Sequence, residues 1–315
     1  MLQINIMKVG FIGGNEITEG FISDFKNNKM VTETHFMEED MVKSRQIIKR
    51  WADINYHVES TAFIKSIDAL IVCGNHKKNH EYIVQAAKYG KHIILSDPHF
   101  LPIGIIRKLE HLESEAGIKI QIGGTEKYNS AFLAAKPFIK NPVFVDVARL
   151  SQYSPKNNTI SVLHDLLYKD LDWVLSSINS NIRKISANSL SVTGEEIDFI
   201  NTKLEFDNGC IANLTASRVS ELNLNKARIY NANSILFIDF LNRQLKRSWK
   251  KTDYLEFEDL EITVCHDRYN QFHEFYKSIN NEIEMSSIIP DFLKTKDVLE
   301  LILEKIKMKT NPFVK

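Results

Sequence analysis

The segment from Ser66 to Phe100, SIDALIVCGNHKKNHEYIVQAAKYGKHIILSDPHF, restricts the fold more than any other stretch of the chain. Ala69 to Cys73 is an unbroken apolar run, the pattern of a strand buried on both faces in a parallel sheet covered by helices. A polar turn follows, Gly74 to Asn79. Ile83, Ala86, Ala87 and Tyr89 then recur at helical spacing, Gly90 supplies a stop, and His92 to Leu95 is a second buried strand. Strand, helix and strand within about 30 residues predict a right-handed parallel crossover unit. Its strand ends, Cys73 to Asn79 and Ser96 to Pro98, fall on one rim, where open α/β sheets bind ligands.

The start of the chain extends this unit. Met7 to Ile12 is an apolar strand running into Gly13-Gly14-Asn15-Glu16, and Ile17, Phe21, Ile22 and Phe25 share one face of the next helix. Strand, glycine turn and helix open a dinucleotide fold. Aligned on Gly13, however, the second and third glycines of G-x-G-x-x-G are Asn15 and Thr18. The second glycine lets the backbone approach a pyrophosphate without a β-carbon; Asn15 carries one, although asparagine accepts positive φ better than most residues. Glu16 puts a carboxylate in the first helical turn, which suits the helix dipole and opposes a bound polyanion. The next strand, Val31 to Met37, ends at Glu38, roughly 20 residues beyond the turn, where such a fold places an acid for the ribose hydroxyls. A carboxylate there repels a 2′-phosphate and favours NAD over NADP. On a second reading Glu38, Glu39 and Asp40 are caps and first-turn charges for the helix Met41 to Trp51. Both readings stand at this point.

Alternating helices and strands continue to residue 122, and Gly123 to Tyr128 is the expected hinge. A helix at Ser130 to Lys140 follows. From Val143 onward the chain turns β-rich, in runs at 143–153, 182–193, 198–216, 226–239 and 254–264, with Asn208-Gly209 as a hairpin turn. Two domains are expected, a Rossmann dinucleotide-binding-like domain at 1–122 and a substrate and oligomerisation domain at 123–315. The fold class is α/β: an N-terminal doubly wound parallel sheet plus a C-terminal α+β domain with a largely antiparallel open sheet. The final helices, 270–283 and 291–307, are expected to pack back on the first domain.

Forty basic and forty acidic residues cancel, so nothing electrostatic points to nucleic acid or an anionic membrane. Cys73, Cys210 and Cys265 fit no metal spacing, and Cys73 reads as a small buried hydrophobe. His76, His80, His92 and His99 cluster without a partner at ligand spacing, so no metal site is expected. The start has no signal-like segment, and no apolar run approaches membrane length. A reducing, cytoplasmic setting is the expectation.

One helix interrupts the β-rich half, SVLHDLLYKDLDWVLSSI at 161–178. Val162, Leu166, Leu167, Leu171, Val174, Leu175 and Ile178 define its core face. Asp165, Lys169 and Asp172 lie at spacings of four and three on another face and are expected to be neighbours. An Asp-Lys pair four apart is, on its own, an ordinary surface ion pair. His164 points about 100° away.

The central stretch resembles the Gfo/Idh/MocA dehydrogenases, which act on sugars, inositols and related polyols. Their sequences read strand, Thr-Pro-Asn-x-x-His, helix, Ala-Gly-Lys-His, strand, Glu-Lys-Pro. This chain keeps Gly90, Lys91, His92 and Pro98 in register. Gly74, Asn75, His76 and Asn79 replace Thr, Pro, Asn and His, and Ser96-Asp97 replaces Glu-Lys. The family's principal catalytic lysine is thus Asp97 here. Its Asp-x-x-x-His, with the histidine as acid/base, corresponds to Asp165 and Lys169. Lys127 and Tyr128 stand nearest to the arginine and aromatic that follow the family's hinge. The resemblance implies Gly13, Gly14, Asn15, Glu38, Gly74, Asn75, His76, Asn79 and Ser96 as cofactor positions. It also implies Asp97, Asp165 and Lys169 as catalytic positions, and Lys127, Tyr128 and Asp172 on the substrate side. A sugar-like small molecule is the implied substrate, and a homodimer or homotetramer through the open sheet the implied assembly.

Lysine has left position 97 for aspartate, and histidine has left position 169 for lysine, so an exchanged Asp97–Lys169 pair is expected if both face one cavity. From there two functions follow. In one, an NAD-type oxidoreductase with an altered site uses Lys169, its pKa lowered by burial, or Asp97 as base, with Asp165 orienting it. In the other, the catalytic chemistry is lost and the frame serves binding or scaffolding.

Overall fold

In the computed structural model the described residues are 6–14, 16–25, 28–74, 79–96, 98, 101–154, 160–283 and 288–308. Two compact units divide the chain, one of residues 1–123 with 268–292, the other of residues 124–267 with 293–315.

The first unit is built on six parallel strands: β1 (Met7–Ile12), β2 (Val31–Met37), β3 (Asn55–His57), β4 (Ala69–Val72), β5 (His92–Leu95) and β6 (Ile120–Ile122). Their spatial order is β3-β2-β1-β4-β5-β6, the doubly wound arrangement with its switch point between β1 and β4. The crossovers are helices α1 (Glu16–Phe25), α2 (Met41–Arg50), α3 (Ser60–Ser66), α4 (Asn79–Lys88) and α5 (Ile103–Ala116). All four residues of β4 are buried, as an apolar run between two helical layers requires. Gly10 lets α3 press against β1: a β-carbon there would stand 2.7 Å from the Phe63 ring. Phe11, Phe21 and Phe25 form an aromatic cluster, closed by Phe272 of helix α8 (Asp267–Ile279), whose ring centre is 4.3 Å from that of Phe25. Arg268, also on α8, ties down Asp24 at 3.1 Å.

The second unit carries an eight-stranded sheet in the order β14-β13-β12-β11-β7-β10-β9-β8. Its strands are β7 (Phe144–Gln152), β8 (Ile182–Leu190), β9 (Phe199–Phe206), β10 (Ile211–Ser220), β11 (Leu224–Tyr230), β12 (Ser234–Asp239), β13 (Gln244–Lys251) and β14 (Tyr254–Leu260). All pairings are antiparallel except β10 with β7. Strict alternation separates the faces. Val145, Val147, Ala212, Leu214, Ala227, Ile229, Leu236 and Ile238 are buried. They lie on the side of helices α6 (Ser130–Ala135) and α7 (Tyr168–Ser177), whose Phe132 and Trp173 meet Phe240 in an aromatic trio. On the other face, the register aligns Phe257, Ser248, Ile235, Tyr230, Phe144 and Ile211 in one row across six strands. Beside it runs a row of ion pairs, Asp259–Lys246 at 3.3 Å and Arg228–Asp146 at 2.5 Å. Helix α9 (Ile289–Met308) closes the chain, its residues from 293 belonging to this unit.

Strand β13 escaped the sequence expectation. Its residues QLKRSWKK fall outside the expected β-rich runs; Arg247 lays its guanidinium over the rings of Phe138 and Trp249, at 4.8 and 5.0 Å, while Lys250 and Lys251 are exposed.

Candidate active site

In the first unit, the rim at the carboxyl ends of β1, β2, β4 and β5 gathers most of the expected cofactor positions. Gly13 has φ +101°, and a β-carbon on it would lie 1.9 Å from the carbonyl oxygen of Cys73. Glycine is therefore required by the approach of the turn to the end of β4. Gly14 turns its N–H to the Glu38 carboxylate, Oε2, at 2.6 Å; the other oxygen accepts from the Asp40 amide at 3.0 Å. Glu38 is only 6% exposed. Capping of α2 falls instead to Asp40, whose Oδ1 accepts from Val42 N at 2.9 Å. Thr18, at the third-glycine position, is fully buried, and its hydroxyl donates to the Gly13 carbonyl, so the extra side chain fits with its polar atom satisfied.

On the neighbouring crossover Gly74 adopts φ +78°, and Asn79 donates to its carbonyl at 2.9 Å. The Asn79 Oδ1 is buried with no hydrogen-bond partner among the described residues. Ser96 turns back into the sheet, donating its hydroxyl to Val72 O at 2.9 Å. Asn15, Asn75, His76 and Asp97 lie outside the described residues, and with Asp97 goes the exchanged pair with Lys169.

These residues fit a dinucleotide. A carboxylate with two backbone hydrogen bonds retains acceptor capacity for a ribose diol, Gly13 and Gly14 form the turn beside it, and Asn79 lies on the same rim.

The second unit brings together the expected substrate-side residues. Lys127 reaches Asp172 at 2.9 Å; Asp172 is 4% exposed and also lies 3.5 Å from the Thr295 hydroxyl. Gly124 makes room for this, since a β-carbon on it would be 2.7 Å from Asp172 Oδ2. Tyr128 is buried beside it in sequence. Lys169 meets Asp165 at 3.4 Å, with side chains 32% and 41% exposed. Asp172 thus takes Lys127 as its cationic partner, while Lys169 stays with Asp165.

The helix departs from the regular α pattern read in the sequence. Leu163–Leu167 is a π turn, closed by Tyr168 N to Leu163 O, and only then does α7 begin. The extra residue shifts the phase: Leu163 is fully buried where Leu166 was expected. π turns occur frequently at functional sites. His164, within the turn, is half-buried, and burial pushes its pKa down, with Glu300 opposing and Lys296 adding to the shift.

The residues that sequence reasoning missed hold this segment in place. Arg149 on β7 forks onto Asp170, both contacts at 2.8 Å, and reaches Glu126 at 3.1 Å. Trp173 donates to the same carboxylate at 3.2 Å. Burial of the guanidinium works against its charge, but Asp170 and Glu126 outweigh it and raise the Arg149 pKa above its ordinary value. Glu126 and Lys127 are consecutive, and Asp170 and Asp172 lie within one turn of α7. Lys127–Asp172 directly, and Glu126–Arg149–Asp170 through the shared guanidinium, therefore tie residues 126 and 127 to the helix. Nothing in one sequence pairs an arginine in β7 with a carboxylate 21 positions later.

A parallel sheet in this strand order, with a glycine turn at the switch point and an acid closing β2, defines a dinucleotide-type α/β protein, here continued by an α+β unit with an open sheet. Residues 7–124 match the Gfo/Idh/MocA profile described as oxidoreductase family, NAD-binding Rossmann fold. UDP-N-acetylglucosamine 3-dehydrogenase of Acidithiobacillus ferrooxidans is 24% identical over 186 residues, 58% of this chain and 59% of that protein, so the alignment spans under two thirds of the relative. The NAD(+)-dependent scyllo-inositol 2-dehydrogenase of Bacillus subtilis is 22% identical over 245 residues, 73% of this chain and 69% of that protein. In three dimensions the Acidithiobacillus enzyme superposes with a TM-score of 0.87 at 17% identity, covering 96% of this chain and 98% of that one. A levoglucosan dehydrogenase in complex with NADH and L-sorbose gives 0.82 at 15% identity, covering 97% and 98%. The shared fold thus runs nearly the whole length of the chain.

Proposed function

We propose that this protein is an NAD-dependent oxidoreductase that interconverts a secondary alcohol of a sugar or cyclic polyol with the ketone. The observation that carries this is the buried Glu38 carboxylate closing β2 and held on the Gly14 amide, inside a domain matching an NAD-binding profile. Gly13, Gly14 and Glu38 would hold the adenosine end of the cofactor, and Gly74, Asn79 and Ser96 line the same rim. The carboxylate favours NAD over NADP, because a 2′-phosphate beside it meets like charge. A bound dinucleotide supplies the hydride acceptor.

This chain's own residues must handle the alcohol proton. Lys169, with Asp165 at 3.4 Å, is the assigned base, and Asp165 orients it. Lys127, held by Asp172, presents a cation and hydrogen-bond donors to hydroxyl oxygens. The two named relatives are dehydrogenases of UDP-N-acetylglucosamine and of scyllo-inositol, which supports a sugar-like substrate.

A second reading is a non-catalytic binding or assembly protein on the same frame. What favours it is the exposure of the Lys169–Asp165 pair, which has the character of a surface ion pair, together with the aspartate at position 97. Incubation with NAD and either UDP-N-acetylglucosamine or scyllo-inositol, followed by NADH absorbance, separates the two. Turnover that Lys169→Ala abolishes supports the enzyme; NADH binding without turnover on a panel of sugars and polyols supports the second reading.

The half-exposed row of Ile235, Tyr230, Phe144 and Ile211, flanked by ion pairs, supports assembly of two or four copies through the open sheet face.

A further inference from the structure

Two histidines of the first unit take no part in the chemistry above and meet nitrogen to nitrogen. His35 Nδ1 on β2 and His57 Nε2 on β3 are 2.9 Å apart. The ring centres are 5.2 Å apart, the separation that results when both nitrogens lie on the line joining the rings, so the contact is head-on. His35 Nε2 lies 3.1 Å from Glu33 Oε2. A carboxylate accepts, so that nitrogen carries the proton of the neutral ring and Nδ1 is bare. His57 Nε2–H then fills it. Ser66 Oγ stands 3.2 Å from the same Nδ1 and 3.5 Å from His57 Nε2, but its hydroxyl donates to Phe63 O at 2.7 Å. The two facing nitrogens therefore share one proton, and the Ser66 oxygen offers none. If both rings become charged, two N–H groups face each other with Ser66 Oγ as the acceptor in common.

The remaining charges around the pair do not relieve this. Lys8 on β1 binds Glu33 at 2.6 Å, dividing that carboxylate between itself and His35, and Asp68 is engaged by the Lys8 amide at 2.8 Å. Burial, followed by the neighbouring His57, lowers the pKa of His35 below 6.5, against the pull of Glu33; burial alone lowers that of His57. For bases so depressed, the stability they contribute is complete above about 6.5 and is lost as pH falls through their lower folded values.

The position of the pair gives it a readout. On β2, His35 precedes Glu38 by three residues; on β3, His57 registers with Met37, and the Tyr56 hydroxyl reaches the Glu38 carbonyl at 3.3 Å. Anything that parts β3 from β2 loosens the strand end that holds Glu38 on Gly14. We propose that His35 and His57 form a proton-controlled latch on this sheet edge, closed when they share one proton and opened when both rings are charged, which releases Glu38 from the glycine turn.

The test uses the full chain. Thermal midpoints are measured from about pH 8 to 5 for the wild type and for His57→Gln, whose amide still donates to His35 but takes up no proton. The imidazole titrations of the wild type are followed by NMR. The wild-type midpoint should drop more steeply than the variant's below pH 6.5, and the NMR should show both rings neutral at that pH. Equal slopes, or two rings titrating at about 6.5, overturn the latch; the wild-type NMR decides if the variant does not fold. The link to Glu38 rests on the dinucleotide reading. NADH affinity should fall at least ten-fold between about pH 7.5 and 5.5 in the wild type and less in the variant. Equal affinity at both pH values overturns the link. Failure to bind NADH at any pH sinks the dinucleotide reading instead and leaves the midpoints and NMR to decide the latch.

Discussion

At the scale of single residues, the candidate positions in the two units are set by opposite devices. Around Gly13 the chain relies on the absence of a side chain: the φ of +101° and the 1.9 Å approach to Cys73 O leave no room for a methyl group. Gly13→Ala should cost about 2 kcal/mol or more, since a strained φ alone costs about 1–3 kcal/mol, and urea unfolding measures it. Around α7 the device is a buried charge. Arg149 holds two carboxylates and its side chain is 12% exposed, so removing the cation takes the counter-charge from two largely buried acids. Arg149→Met should destabilise the protein by about 3–5 kcal/mol, seen as a lower urea midpoint. A loss below about 1 kcal/mol would mean that Asp170 and Glu126 find water instead.

At the scale of elements, the parallel sheet was legible because its signals are local. Ala69 to Cys73 and His92 to Leu95 are apolar on both faces, and Gly90 ends the helix between them with φ +69°. Glu38 was legible by its distance from the glycine turn, although not its bond to Gly14, which joins residues 24 positions apart. What escaped depends on packing. Strand β13 lacks a local apolar pattern, and its Arg247 finds its place only once Phe138 and Trp249 are set beneath it. The π turn at Leu163–Leu167 has no marker in the sequence, since leucines at 163, 166 and 167 satisfy either helical phase. That phase is testable. Leu163 is fully buried and Leu166 is not, so Leu163→Ala should cost about 3 kcal/mol and Leu166→Ala markedly less, by chemical denaturation. The reverse order would restore the regular helix.

At the scale of the whole molecule, the second unit leaves one sheet face half-exposed, with aromatic and aliphatic side chains in register and ion pairs alongside. If the proposed assembly forms through this face, the wild type should scatter light as a dimer or tetramer and Tyr230→Glu, in the middle of that row, as a monomer, with NADH binding intact. Unchanged mass would contradict assembly through this face. The same scale holds the central claim, the proposal that this frame takes a dinucleotide through Glu38. An NADH fluorescence titration of the wild type and Glu38→Ala tests it most directly. Saturable binding is expected in the wild type, weakened at least ten-fold in the variant, as loss of a charge-assisted hydrogen bond worth about 1.5–3 kcal/mol requires. No wild-type binding at millimolar NADH, or identical affinity in the two proteins, would contradict it.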